Sequence, residues 1–292
     1  MKRVILGLLA ILLVSALCAA KARSDEKPLE VFVSILPQQF FVESIGGRLV
    51  DAHVMVKAGQ EPHTFEPMPR DVVELEKSKL YFEIKIPFEG PLLERIKAGH
   101  PNLIIVDTTK GIAGSDRAAH SKHEGEGAPG EYDPHIWLSP PLIKIQMRNI
   151  AEALQKADWA HTDEYKANLE TFLKKLDSTD ERVKKMLAPF KGRSFFVFHP
   201  AFGRFAEAYG LKQVAVEVEG KTPAPKQLQE MIRKARADKA KVIFIEPQFD
   251  PRSARAVAEA IGGQVVPLDD LAKDVLGNLV NIAYDVSSAL KK

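Results

Sequence analysis

Cysteine is nearly missing from this 292-residue chain, with Cys18 the only one. One thiol cannot form an internal disulfide, so the fold must rest on an apolar core, which a chain of this length can supply. Also missing are the signatures of common hydrolases and nucleotide enzymes. There is no HExxH pair, no Gly-x-Ser-x-Gly elbow and no Walker A loop. No long basic tract or basic–aromatic stripe is present, which excludes nucleic acid as a partner. Long apolar runs are confined to one segment, Val4 to Leu17, broken only by Gly7 and Ser15. That run is shorter than the roughly 20 residues needed to span a bilayer. With Lys2 and Arg3 before it and Ala20-Lys21-Ala22 after it, it reads as an export signal over residues 1–22. Leu17 stands where a lipid-anchored signal wants a small residue, so the expectation is a free periplasmic protein. Loss of Lys2, Arg3 and Lys21 moves the formal charge from +2 to −1.

What is present alternates between strand and helix patterns. "LEVFVSILPQQFFVESIGG" predicts a strand from about Leu29 to Ile35, a turn near Pro37 and a helix ending at Gly46-Gly47. Val50 to Val56 is a further strand, "PRDVVELEKSKLYFEI" carries helical spacing, and "LIIVDTT" is a dense β-branched run. The second half repeats the theme with "SFFVFH", "PAFGRFAEAYG", "KQVAVEV", "KVIFIEP", "PRSARAVAEAIGG" and "QVVPLDD". The fold class expected is therefore α/β, in two lobes with mostly parallel sheets.

Between the lobes, Tyr165, Leu169, Phe172, Leu173, Leu176, Val183, Met186 and Leu187 mark one face of a long helix from Thr162 to Leu187. Pro189 and Gly192 stop it. It is either a rigid connector or an ordinary core helix, and the connector is the preferred reading. The domain division expected is a first lobe over 23–161, a connecting helix over 162–189 and a second lobe over 190–292.

Eight histidines are present: His53, His63, His100, His120, His123, His135, His161 and His199. His53, His100 and His161 read as structural or surface groups. Three others have more pointed surroundings: His63 in "GQEPHTFEP", His135 in "DPHIWLSP", and His199 at the end of the "FFVFH" strand. Ligands of open α/β sheets bind at the carboxyl ends of strands. Asp269 and Asp270 close another strand. Imidazole and carboxylate are natural ligands for zinc and neighbouring transition metals, and four of them can close a tetrahedral shell.

Five blocks in order, "PHTFEPMPRDV", "YDPHIWLSP", "FHPAFGRFAEAYGL", "IFIEPQFDP" and "VVPLDDLA", resemble the cluster A-I (cluster 9) zinc/manganese solute-binding proteins of bacterial ABC importers. The resemblance covers essentially the whole exported chain. It implies two α/β lobes joined by a long rigid backbone helix, with the metal site in the cleft between lobes. It further implies ligands at His63, His135, His199 and Asp269, with Asp270 where relatives often carry proline or serine. In zinc-selective relatives water sometimes completes the shell, which would leave Asp269 a supporting role.

Manganese-selective relatives commonly carry glutamate where this chain has His199, so imidazole there favours zinc. The segment holding His120, His123, Glu124, Glu126, Glu131 and Asp133, which glycines at 125, 127 and 130 would keep mobile, resembles a reduced form of the histidine- and acid-rich loop of zinc-binding relatives. It is either an auxiliary metal-capture arm or a solvated insertion.

The function expected is capture of Zn2+ as transported ligand, by a monomer that delivers it to a membrane permease with its cytoplasmic ATPase. Mn2+ or broad divalent-cation binding is the alternative. A secreted zinc hydrolase is the enzyme reading. It would need a base aimed at a metal-bound water, for which Glu61, Glu66 and Glu246 are the available carboxylates.

Overall fold

Two four-stranded parallel sheets, each built around a central pair of strands, organise the chain in a computed structural model that describes residues 27–114, 132–215 and 225–291. The export segment, His120 and His123 lie outside the described residues.

The first sheet comprises β1 (Leu29–Val33), β2 (Val50–Val54), β3 (Leu80–Glu83) and β4 (Ile104–Asp107), in the order β2-β1-β3-β4. The second repeats that order as β6-β5-β7-β8, from β5 (Ser194–Val197), β6 (Lys212–Ala215), β7 (Val242–Ile245) and β8 (Gln264–Pro267). Central strands of a parallel sheet are covered on both faces, which demands near-continuous apolar sequence. Val31, Phe32 and Val33 of β1 and all four residues of β7 are buried accordingly.

In the first lobe, helix α1 (Leu36–Gly46) follows β1, α2 (Pro69–Leu75) precedes β3, and α3 (Glu89–Gly99) leads to β4. In the second, α6 (Gly203–Tyr209) precedes β6, α7 (Pro225–Ala237) precedes β7, and α8 (Arg252–Ala260) precedes β8. Between them lie α4 (Pro140–Ala157) and α5 (Thr162–Leu187), and α9 (Val275–Leu290) ends the chain.

Helix α5 occupies the span expected from its apolar stripe. It buries Tyr165, Phe172, Leu176, Val183 and Leu187. Asp163 and Glu164 sit in its first turn and Lys184 and Lys185 in its last, which suits the helix dipole. A single turn of 3-10 helix containing Pro189, then Gly192 at φ +81°, ends it. It packs against α1 and α4 from the first half and α9 from the second, so it is both connector and core element.

Helices α4 and α9 were not anticipated. Helix α4 opens on two prolines, whose missing amides cost nothing in a first turn, and buries Ile143, Met147, Ile150 and Leu154. Helix α9 is capped by Asp274, whose carboxylate accepts from Gly277 N at 3.0 Å. One apolar cluster runs from β1 through α4 and α5 to α9 and the inner residues of β5 and β7. A smaller one around Phe196, Ile243 and Val257 lies on the second sheet. The two tryptophans differ sharply: Trp137 is 1% exposed, whereas Trp159, at the α4–α5 junction, is 82% exposed.

Candidate metal centre

The three histidines lie on connections that follow strands of the two parallel sheets, whose carboxyl ends are where ligands bind. His63 lies on the loop after β2, His135 after β4 on the entry to a 3-10 turn at Ile136–Leu138, and His199 two residues beyond β5. Local chemistry fixes each segment. Glu61 accepts from His63 N at 2.7 Å and from Thr64 N and Oγ1 at 2.7 and 2.6 Å, tying the loop into a tight turn. Asp133 Oδ1 accepts from His135 N at 3.0 Å and from its Nδ1 at 2.8 Å. Buried Glu246, at the end of β7, approaches His199 N at 3.4 Å.

The three rings converge. His135 and His199 are 2% and 3% exposed, and one nitrogen of each of the three histidines lies within 4.8 Å of the others. Ring centroids are 5.5 Å apart for His63–His135, 4.9 Å for His63–His199 and 5.2 Å for His135–His199. The His135 and His199 Nε2 atoms are 3.3 Å apart. Two nitrogens bound tetrahedrally to zinc at about 2.0–2.1 Å stand about 3.3–3.4 Å apart, the edge of that tetrahedron. Aromatic walls hold the rings: Phe249 stacks on His199 at 5.1 Å, and Trp137 lies 5.2 Å from His135. Trp137 Nε1 donates to Asp270 O at 2.7 Å, bridging the two halves beside the site.

The structure brings together three of the four residues expected as ligands. Neither Asp269 nor Asp270 places an oxygen in that cluster. Asp269 accepts through its Oδ1 from Leu271 N at 2.9 Å and from Gln248 Nε2 at 3.4 Å. It lines an adjoining cavity of about 220 Å³ with Lys57 and Lys273. Asp270, one residue on, lines the histidine pocket instead, a space of about 10 Å³ shared with His63, His199 and Phe249. That is room for about one water-sized body. Burial raises the Asp270 carboxyl above its ordinary value, His135 and His199 oppose that rise, and Asp269 adds to it.

His53, His100 and His161 are elsewhere, each paired with a carboxylate. Their partners are Glu30 at 2.7 Å, Glu76 at 3.2 Å and Asp158 at 2.8 Å. Sequence reading places Asp133 only in the acidic loop and gives Trp137 no role; the structure sets both against the His135 ring. The signal lay in the "DPHIW" block itself, where a carboxylate two residues before a histidine can reach its ring.

Residues 31–281 match the family described as "ZnuA: Zinc-uptake complex component A periplasmic". The chain belongs to this family. Zinc-binding protein AdcA of Streptococcus pyogenes serotype M3 is 27% identical over 283 residues, 91% of this chain and 55% of the relative. The chain thus spans about half the length of the AdcA relatives it matches. The manganese ABC transporter substrate-binding lipoprotein PsaA of Streptococcus pneumoniae is 28% identical over 248 residues, 82% of this chain and 78% of that one. A crystal structure of ZnuA superposes with a TM-score of 0.83 at 38% identity, covering 90% of this chain and 99% of that one. Both zinc and manganese names occur among these relatives, so kinship alone does not select the ion. ZnuA-type proteins are periplasmic solute-binding carriers and not enzymes. Among the described residues, no helix is long and apolar enough to cross a membrane.

Proposed function

We propose that this ZnuA-family protein captures Zn2+ in the periplasm and delivers it to an ABC importer, a permease driven by a cytoplasmic ATPase. The observation that carries the reading is the convergence of three imidazoles, with His135 and His199 Nε2 at a zinc-like 3.3 Å. His63, His135 and His199 supply the nitrogen ligands. Asp270, in the same pocket, is the carboxylate best positioned to offset the dication's charge, in preference to Asp269. Protons compete with a divalent ion for imidazole nitrogen, so binding tightens as pH rises.

Residues 23–161 and 190–292 form the two lobes and 162–189 the connector, and the site draws ligands from both lobes. The continuous apolar core through α5 supports a small closure in place of a wide hinge swing. Hydrolysis lacks support here: both Glu61 oxygens hold the His63 turn, Glu66 is exposed, and Glu246 lies against the His199 amide.

Competition between metal-free protein and a strong chelator tests the reading. One zinc per chain should be retained, and His63→Ala, His135→Ala or His199→Ala should each abolish retention. Two equally tight equivalents, or none, would refute it. Manganese is the second reading, favoured by the likeness to PsaA. Direct competition in which manganese displaces zinc would establish it.

A further inference from the structure

Asp133 makes contacts in two directions. Its Oδ1 holds both the main-chain N and the ring Nδ1 of His135, at 3.0 and 2.8 Å. A carboxylate only accepts, so Nδ1 carries the hydrogen and the lone pair resides on Nε2, the atom that faces His199. Its Oδ2 points across the cleft to α6 of the other half, where Arg204 Nε lies 3.8 Å away.

Two features of α6 accommodate that approach. Position 203 is glycine, and a Cβ there would come within 2.8 Å of Asp133 Oδ2. Arg204 Nε is buried and makes no hydrogen bond among the described residues. At its tip, Nη1 is 3.5 Å from Glu207 Oε2, the one other ion-pair contact of the guanidinium among the described residues. A buried donor thus stops less than about 1 Å short of hydrogen-bonding range from a carboxylate that already grips a metal-site histidine.

We infer that Asp133 is the positioning residue that orients His135 for the ion and couples that ligand to the opposite lobe through Arg204. The inference rests on the metal-site reading above. A cation on Nε2 draws electron density from the ring and makes Nδ1–H a stronger donor toward Oδ1. The carboxylate is thereby locked in place for Arg204. A sub-ångström approach of α6 then satisfies the buried Nε and favours the closed arrangement over the open one. Loaded and empty protein would differ at this corner of the cleft, on a surface a transporter can read.

A double-mutant cycle tests the chain of contacts, with zinc affinity measured by chelator competition on purified protein loaded from its metal-free form. Asp133→Ala should weaken zinc by about 10–100-fold, the range for loss of a carboxylate behind a ligating histidine. Asp133→Asn, which keeps an acceptor oxygen, should fall between it and the parent. Arg204→Gln should weaken zinc several-fold, Arg204→Lys less. Asp133→Ala combined with Arg204→Gln should be no weaker than Asp133→Ala alone, because both act through one path.

The visible spectrum of the Co2+-loaded protein should shift in Asp133→Asn, and a residue acting only on fold stability would leave it unmoved. Additive losses, or parental affinity in Arg204→Gln, overturn the coupling. Parental affinity and an unshifted spectrum in Asp133→Asn overturn the positioning role. If Asp133→Ala does not fold, the Asn, Gln and Lys variants decide the matter alone. Retention of zinc by His135→Ala would instead condemn the site reading itself, so the two failures are distinguishable.

Discussion

Replacing each of two adjacent aspartates with asparagine separates the architecture from the family pattern. Asp270 is 6% exposed and lines the histidine pocket, so Asp270→Asn removes a carboxyl group from the pocket proposed for the dication. The expected loss of zinc affinity is about 10–100-fold, or about 1.4–2.7 kcal/mol, as for other carboxylates that support a metal. Asp269 instead terminates the Leu271 amide at 2.9 Å and a longer Gln248 contact at 3.4 Å. Asparagine retains an acceptor oxygen there, so Asp269→Asn should cost at most about 1 kcal/mol of stability. That is a melting shift of a few degrees for a chain of this size, about 2–4 °C. Its zinc affinity should stay at the parental level. Chelator competition gives the first quantity and thermal melting of metal-free protein the second. A large affinity loss in Asp269→Asn with Asp270→Asn silent would refute the assignment and restore the residue favoured by resemblance.

Three further outcomes follow from the site and its surroundings. Deleting residues 121–128, with His123, should leave tight zinc binding intact and slow only its capture from scarce metal, measured by stopped-flow loading; loss of tight binding would make the loop part of the site. His199→Glu should narrow the preference for zinc over manganese in direct competition, because it replaces imidazole with a harder oxygen donor; an unchanged ratio counts against His199 as ligand. Buried Glu89 caps the amides of Ile84, Lys85 and Ile86 at 2.5–3.1 Å and meets Ser34 Oγ, and burial raises its carboxyl to about 8, with Glu83 adding to the rise. The folded state therefore favours the protonated form, so the contribution of Glu89 to stability is full below the ordinary value near 4.5 and falls by about 5 kcal/mol as pH rises to 8. Glu89→Gln, neutral at every pH, should flatten that slope in denaturant melts, and an unaltered slope would show that Glu89 stays ionised.

Parallel strands and the α5 stripe were legible because buried sheets write themselves as runs such as "VIFI" and long amphipathic helices as a repeating face. The three histidines stood out by context: His199 ends a strand pattern, His63 lies in "GQEPHTFEP" after one, and His135 sits in the "DPHIWLSP" block. Helix α9 escaped notice because its first half mixes Gly277 with β-branched Val275 and Val280, poor helix formers that tertiary packing overrides. Helix α4 was hidden by the two prolines that open it. The aspartates illustrate a harder limit. Asp269 and Asp270 lie beyond β8 in irregular backbone, where no period fixes which of two neighbours faces inward. Which of the two faces the ion is invisible to pattern and decisive for chemistry.

The unequal burial of the two tryptophans gives the molecule a built-in optical gauge. Trp137 sits dry against His135 while its indole N–H reaches across to Asp270 O, so its emission depends on both the ligand and the contact between halves. Trp159 is wet, at the far junction of α4 and α5. Buried indole fluoresces to the blue of hydrated indole, and a dissolved quencher such as acrylamide reaches only the latter. The blue edge of the spectrum therefore registers events at the centre, while the quenchable red component serves as an internal reference in the same cuvette, without any attached dye.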